Sequence, residues 1–341
     1  MKTRDTGLLE QAIATLEKNT GLTIEVVHYL HEHKNIAATA TLYTGAKIIP
    51  LAIELKQQVT NVVIGNLAYQ FNQVNEQGLL IADYINPIIA ERLKTMGIWF
   101  LDAMGNTYIN AKPVFIYIKG NKAAEKPTAK VMQRAFRPSG LKLTYALLCN
   151  PGLVNQPYRD IAQVAEVALG TVGWVVRDLV EMGHIVDMGE RGRRLKNRKK
   201  LLERWLIAYP EQLRPKLETG RYRALDSNWW KTAPLHNLQA YWGGEVAADR
   251  LTQYLKPEII TIYVMKKWAT KLKLANKLRK DPNGDIEILN TFWDVDDDIN
   301  RNDIVNPILI YADLMASGDP RNIETAQIIY EQELVEHFRE D

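Results

Sequence analysis

The chain has 341 residues, 46% of them hydrophobic and 24% charged, with a formal net charge of +3. This is the balance of a soluble globular chain of two or three domains, and a charge so small identifies no partner by itself. A single cysteine, Cys149, excludes an intramolecular disulfide and any multi-cysteine metal site, which fits a reducing compartment. The N-terminal run MKTRDTGLLEQAIATLEKN is charged and helical in pattern, without a secretory apolar core. No stretch approaches the roughly 18 apolar residues of a membrane span. The expectation is a cytoplasmic protein with no membrane partner. Charge is unevenly spread: residues 191–223 carry twelve Lys/Arg against three acids, and 294–341 carry thirteen acids against three bases. Residues 266–280 add seven bases with no acid. A basic middle and an acidic end suggest different partners for different parts.

In chain order, Leu8, Leu9, Ala12, Ile13 and Leu16 recur at helical spacing and predict a helix over 5–18. Three β-rich runs follow at 23–30, 37–44 and 47–56. A helix is expected near 60–74, a buried strand in GLLIADYI, and a helix in NPIIAERLKTMG. Asn86 caps that helix, Pro87 opens it and Gly97 closes it. Two further strands, IWFLDA and VFIYIK, are read as joined by a hairpin through Met104-Gly105-Asn106. Alternating helices and strands describe an α/β or α+β domain over 1–120. Residues 121–137, rich in Lys, Ala and Pro, read as a linker. A helical region, 138–223, comes next. Residues 224–341 mix helices and strands: GGEVAADRLTQYL and NIETAQIIYEQELVEHF as helices, EIITIYVM and DIEILNTFW as strands. The fold class expected is therefore multidomain α/β (α+β).

The central region carries the strongest functional signal. LKLTYALLC and YRDIAQVAEV make two helices, a break at Ala168-Leu169-Gly170 leads into TVGWVVRDLVEMG, and a strand, a turn and a basic stretch follow. A helix that reads DNA is short, braced by its partner, polar outside and flanked by bases for phosphates. Val172, Val175, Val176 and Leu179 are the bracing positions. Thr171, Trp174 and Arg177 then face outward, with Trp174 also able to cover the core. Seven of the ten residues in 191–200 are basic, and Arg191, Arg193, Arg194, Lys196, Arg198 and Lys199 are the phosphate candidates. The segment GTVGWVVRDLVEMGHI resembles the recognition-helix-to-wing segment of bacterial winged helix regulators, which implies double-stranded DNA as the partner. A helical bundle with a solvated basic face, or a protein-protein adaptor, is the alternative.

In the N-terminal region the order helix, three strands, helix, strand, helix, strand resembles the core of the PD-(D/E)XK nuclease-like fold. Glu54-Leu55-Lys56 matches that family's E-x-K and Gln70 its helix glutamine. The chemistry also needs an acid on the preceding strand to hold Mg²⁺, and no Asp or Glu lies between Glu32 and Glu54. Glu54, Lys56 and Gln70 are thus catalytic candidates in a scaffold expected to be inactive. His28, His31 and His33 suggest a metal, but in a strand only the last two share a face.

In the C-terminal region, Asp294-Val295-Asp296 follows a strand and, with Asp313, is a candidate Mg²⁺ set for nucleotidyl transfer; a solvated acidic loop is the plainer reading. Gly243-Gly244 opens a helix but lacks the serine such an enzyme uses. Trp229, Trp230, Trp242, Trp268 and Trp293 read first as core. The runs GLLIADYINPIIAERLKTMGIWFLDAMGNTYI and NPILIYADLMASGDPRNIETAQIIYEQEL are similar to patterns of AbiEi-like proteins, antitoxins and regulators of type IV toxin-antitoxin or abortive infection systems. Asp313 and the Gly318-Asp319-Pro320-Arg321 turn are the recognisable points. The resemblance implies a winged helix-turn-helix that represses its own operon. It also implies a C-terminal domain that counters a nucleotidyltransferase-like toxin, a second partner. The simplest members of that group usually place the winged helix at the N-terminus, whereas about 130 residues precede it here. No cofactor is expected. A binding protein is favoured, and a metal-dependent nuclease or a nucleotidyltransferase-like enzyme stays open.

Overall fold

The computed structural model describes residues 3–29, 36–122, 133–233, 235–293 and 303–339. It is mixed α/β with several sheets and divides into two compact units, Met1–Lys130 and Val131–Asp341.

The first unit opens with α1 (Thr3–Thr20), whose Leu9, Ala12 and Leu16 are buried. Strands β1 (Thr23–Tyr29), β2 (Ala38–Tyr43) and β3 (Ile48–Lys56) form an antiparallel meander. Helix α2 (Asn61–Asn72) returns the chain, so β4 (Gln77–Ala82) lies parallel to β3. Helix α3 (Pro87–Thr95) does the same for β5 (Trp99–Asp102), with the Asn86 side chain accepting from the Ile89 N–H and Pro87 in the first turn. One expectation needs correction. The hairpin through Met104-Gly105-Asn106 does not join the two sequence-visible strands. It leads into an extra strand, β6 (Thr107–Ala111), and only then comes β7 (Val114–Ile118). The sheet order is β1-β2-β3-β4-β5-β6-β7.

Asp102 fixes the turn at the end of β5. Its Oδ1 accepts from the N–H groups of Met104 and Asn106 at 2.9 Å, and its Oδ2 accepts from the Ile85 N–H at 2.8 Å and Asn106 Nδ2 at 2.7 Å. Burial pushes this carboxyl up, against hydrogen bonds that favour the ionised form.

The second unit begins with a short 3₁₀ turn, Arg134–Phe136, at the end of the stretch read as a linker; Ala135 and Phe136 are buried. Helices α4 (Pro138–Cys149), α5 (Tyr158–Val164) and α6 (Leu169–Glu181) follow, then a two-stranded hairpin, β8 (Ile185–Asp187) and β9 (Arg193–Leu195). Helix α7 (Arg198–Ala208), a π-helical turn at Tyr209–Leu213 and α8 (Arg214–Leu217) lead into the second sheet. Its strands are β10 (Glu218–Arg223), β11 (Ala240–Gly243), β12 (Ile260–Val264), β13 (Arg279–Lys280) and β14 (Ile286–Asn290), in the order β11-β12-β14-β10-β13. Helix α9 (Gly244–Thr252) lies between β11 and β12 and α10 (Ala269–Ala275) between β12 and β13, while α11 (Pro307–Ser317) and α12 (Pro320–Ile329) end the unit.

The three-helix region and the second sheet share one core. Tyr145 of α4 stacks on Trp205 of α7 at 5.5 Å, and Trp205 stacks on Tyr209 at 4.6 Å. Tyr145 also meets Phe292, and Tyr263 of β12 meets Trp293. Offset aromatic pairs of this kind bury large apolar area and lock relative orientation. Trp242 and Trp293 are core, as their composition suggested, and Trp229, Trp230 and Trp268 are half-buried. The C-terminal segment closes over the helices: His337 Nε2 lies 2.6 Å from the Leu148 carbonyl oxygen, and Arg198 donates to the Arg339 carbonyl at 2.8 Å.

Candidate nucleic-acid interface

Helix α6 is built as a two-sided element. Val172, Val175, Val176 and Leu179 are buried, as their spacing predicts, and the helix starts at Leu169, two residues before Thr171. Thr171 is half-buried; Trp174 and Arg177 lie on the exposed side. Gly183, at φ 73°, ends the helix, and the His184 N–H closes back on the Leu179 carbonyl at 2.8 Å.

The tip of the β8–β9 hairpin turns through Gly189 and Gly192, both at positive φ. Asn155 clamps its return strand: the Arg193 N–H donates to Asn155 Oδ1 at 2.6 Å, and Asn155 Nδ2 donates to the Arg193 carbonyl at 2.7 Å. A Cβ at Gly192 would lie 2.6 Å from that same Asn155 oxygen, so this position takes glycine for space as well as for φ. His184, at the root of the hairpin, is buried, and its Nδ1 has no partner. Burial and the charges of Arg204 and Lys200 hold its imidazole below the ordinary value.

The predicted basic residues fall into two groups. Arg191, Arg194 and Lys196 are exposed on the hairpin. Arg193 donates to the Tyr158 hydroxyl at 3.2 Å, and its guanidinium lies 5.0 Å from that ring. Tyr158 in turn lines one shallow groove together with Gly173, Trp174 and Arg177 of α6. Arg198 and Lys199 are placed differently. They open α7 and turn toward the C-terminal segment, Arg198 onto the Arg339 carbonyl and Lys199 to 5.7 Å from the Tyr330 ring.

Two participants were not visible in the sequence. Tyr158 joins hairpin to helix, and Arg134 lays its guanidinium 3.9 Å from the centre of the Trp174 indole, with Arg177 at 5.0 Å. Asp178 anchors Arg134's segment by accepting from the Ala135 N–H at 3.1 Å, and Thr144 donates to the Ala135 carbonyl at 3.2 Å. Gly140 permits this docking: a Cβ there would lie 1.9 Å from the Arg134 carbonyl oxygen. The signal was present as a glycine early in a helix, where it costs stability unless a close approach demands it.

The other candidates are placed as follows. Glu54 is buried at the end of β3, paired with Lys56 at 2.7 Å. β2 carries no Asp or Glu, and Gln70 of α2 has a buried Oε1 with no partner. His28 is exposed, and His31 and His33 lie outside the described residues. Asp294 and Asp296 also lie outside them. Asp313 is buried in a cluster. Its Oδ1 accepts from Tyr209 and from Arg214 Nε, both at 3.0 Å, and its Oδ2 accepts from Tyr263 at 2.8 Å. Arg214 also bonds Glu287 at 2.6 Å, and Glu287 pairs with Arg221. Burial pushes the Asp313 carboxyl up and works against the Arg214 charge, but Asp313 and its neighbours outweigh that and hold Arg214 well above its ordinary value. Among the described residues no group of three or more His, Cys, Asp or Glu is arranged to hold a metal ion, and no helix is long and apolar enough to cross a membrane.

Residues 194–335 match the family described as transcriptional regulator, AbiEi antitoxin, type IV TA system. The match runs from β9 through α12 and so includes the Arg214–Asp313 cluster, but not α4 to α6 or the first unit. No curated protein and no solved structure matches the chain.

Proposed function

We propose that the chain is a double-stranded DNA-binding transcriptional regulator of the AbiEi antitoxin type, gripping duplex through a winged helix-turn-helix over 138–223 that represses its own operon. The observation that carries this reading is the joint surface of α6 and the β8–β9 hairpin. One helix buries its valine face and exposes Trp174 and Arg177, and the adjacent hairpin exposes Arg191, Arg194 and Lys196. A helix of that shape suits the major groove, and a basic hairpin beside it suits the phosphate backbone. The match of 194–335 to a family of regulators and antitoxins supports the same reading from the other side of the hairpin. A toxin is the second partner on this reading. The test is affinity for duplex DNA measured between about 50 and 200 mM salt, where phosphate-driven binding falls steeply. Affinity that is absent or independent of salt refutes it.

In the same proposal the first unit is a nuclease-like scaffold that does not cleave. Glu54 is paired with Lys56, and β2 supplies no second carboxylate to hold a metal.

A further inference from the structure

The outward face of α6 is short of hydrogen-bonding groups. Leu169, Trp174 and Val180 are 52, 47 and 43% exposed, large fractions for apolar side chains beside a basic hairpin. Only Arg177 and Glu181, in the second half of the helix, offer exposed polar ends on this face. The first turns of such a helix are the part that reaches base edges. There the exposed positions are Leu169, Gly170 and Trp174, with Thr171 and Gly173 half-buried beside them; Thr171 offers a single hydroxyl, and none of the five can bond a base edge in the paired manner of Arg on guanine or Asn on adenine. The one apolar feature that the major groove presents is the thymine C5-methyl group.

We propose that α6 recognises its site through thymine methyl groups, with Leu169 and Trp174 as the specificity-determining side chains. This rests on the duplex-binding reading above. The charges around the face select DNA as its occupant over an apolar protein surface. Arg134 and Arg177 lie 3.9 and 5.0 Å from the Trp174 ring, and Arg193 lies 5.0 Å from the Tyr158 ring beside it. Three guanidiniums against one carboxylate, Glu181, leave the strip with a surplus of positive charge that an apolar partner would not meet and that phosphates on either side of a groove would. Stacking on Arg134 also holds the indole in one orientation, so little freedom is lost when it meets a base. Gly170 has nothing within 4 Å of a Cβ position, so the helix backbone itself can approach the groove floor there.

The experiment uses the full chain and a random-sequence duplex library. Duplexes enriched by binding are remade with deoxyuridine in place of thymidine, which removes only the methyl groups. Each contacted methyl is worth about fourfold in affinity, as for burial of one CH₂-sized group. Enriched duplexes should therefore share thymines, and their uracil forms should bind about fourfold more weakly per contacted position. In Trp174→Ala and Leu169→Ala, both exposed positions, affinity for the thymine duplexes should fall toward that of the uracil forms, so that the thymine-to-uracil difference shrinks. Equal affinity for the thymine and uracil forms, with salt-dependent binding intact, overturns the methyl reading and leaves DNA binding standing. Absence of salt-dependent binding to any duplex overturns both.

Discussion

Replacing Arg191, Arg194 and Lys196 together by Ala removes three exposed cations from the hairpin and leaves its clamps in place, because Asn155 holds the backbone of Arg193 rather than these side chains. Each phosphate contact contributes about 0.9 to the slope of log affinity against log salt, so three contacts contribute about 2.7. Over a fourfold rise in salt that slope is worth roughly 40-fold in affinity. Between about 50 and 200 mM salt the unaltered chain should thus lose roughly 40-fold more affinity than the triple variant. The loss at low salt should be similar for all sequences, since phosphates carry no sequence information. Fluorescence anisotropy with a labelled duplex reads both quantities. Arg198→Ala is the internal control: that side chain donates to the Arg339 carbonyl, so its removal should leave the slope unchanged. An unchanged slope in the triple variant, or a flattened slope in Arg198→Ala alone, would refute the placement of the hairpin on the phosphates.

Three further outcomes are expected. Gly140→Ala puts a methyl 1.9 Å from the Arg134 carbonyl oxygen, and overpacking of this kind costs about 1–3 kcal/mol; a lowered Tm with weakened duplex binding is expected, and an unchanged Tm would show that the Arg134 segment does not dock on α4. His184 is held below its ordinary value in the fold, so its contribution to stability is present above the unfolded value of about 6.5 and is lost as the pH falls through the folded one; hydrogen-exchange protection in the hairpin, taken relative to the intrinsic rate at each pH, should fall on acidification, and His184→Gln should blunt that response. Plasmid DNA incubated with the chain and Mg²⁺ or Mn²⁺ should stay intact, and cleavage that vanishes in Glu54→Ala would show that another carboxylate completes a metal site.

What the sequence made legible, and what it hid, follows from the range of the forces involved. The inward and outward faces of α6 were readable because one amphipathic period over thirteen residues encodes them locally. Helix α3 was readable from its Asn86 cap, its Pro87 and Gly97. Strand β6 was hidden because Thr107 and Asn110 break its apolar run, although Tyr108 and Ile109 are core. Helix α11 showed no period because nearly its whole circumference is buried. At the candidate site, adjacency in sequence was a poor guide. Arg198 and Lys199 sit beside the hairpin in the chain, yet the start of α7 turns them toward residues 330–339. Arg134 stands 40 residues before Trp174, and only the tertiary docking of its segment brings the two together.

The Arg214–Asp313 cluster separates the regulator reading from the enzyme reading. As a metal ligand, Asp313 would need an oxygen open to a cation. In the structure both of its oxygens accept hydrogen bonds, from Tyr209, Tyr263 and Arg214, and these donors come from the π-helical turn, β12 and the start of α8. The carboxylate therefore ties α11 to the segment that joins the helices of 138–208 to the second sheet. Asp313→Ala would let one of the two buried hydroxyls donate to the other, 2.7 Å away, but would leave the second without an acceptor and Arg214 with one acidic partner, Glu287, in place of two. Removing one member of a buried charged cluster costs about 3–5 kcal/mol. For a unit of this size each kcal/mol shifts Tm by about 2–4 °C, so a fall of roughly 6–20 °C is expected. Because Tyr145, Trp205 and Tyr209 stack into one core across the same junction, the second unit should unfold in a single transition by tryptophan fluorescence, with Trp99 reporting the first unit, and duplex binding should disappear with it. Asp313→Asn keeps one acceptor and should lie between the two. If Asp313→Ala instead left Tm unchanged and abolished binding of Mg²⁺ or nucleotide, the cluster would be a reaction centre, and the enzyme reading would replace the structural one.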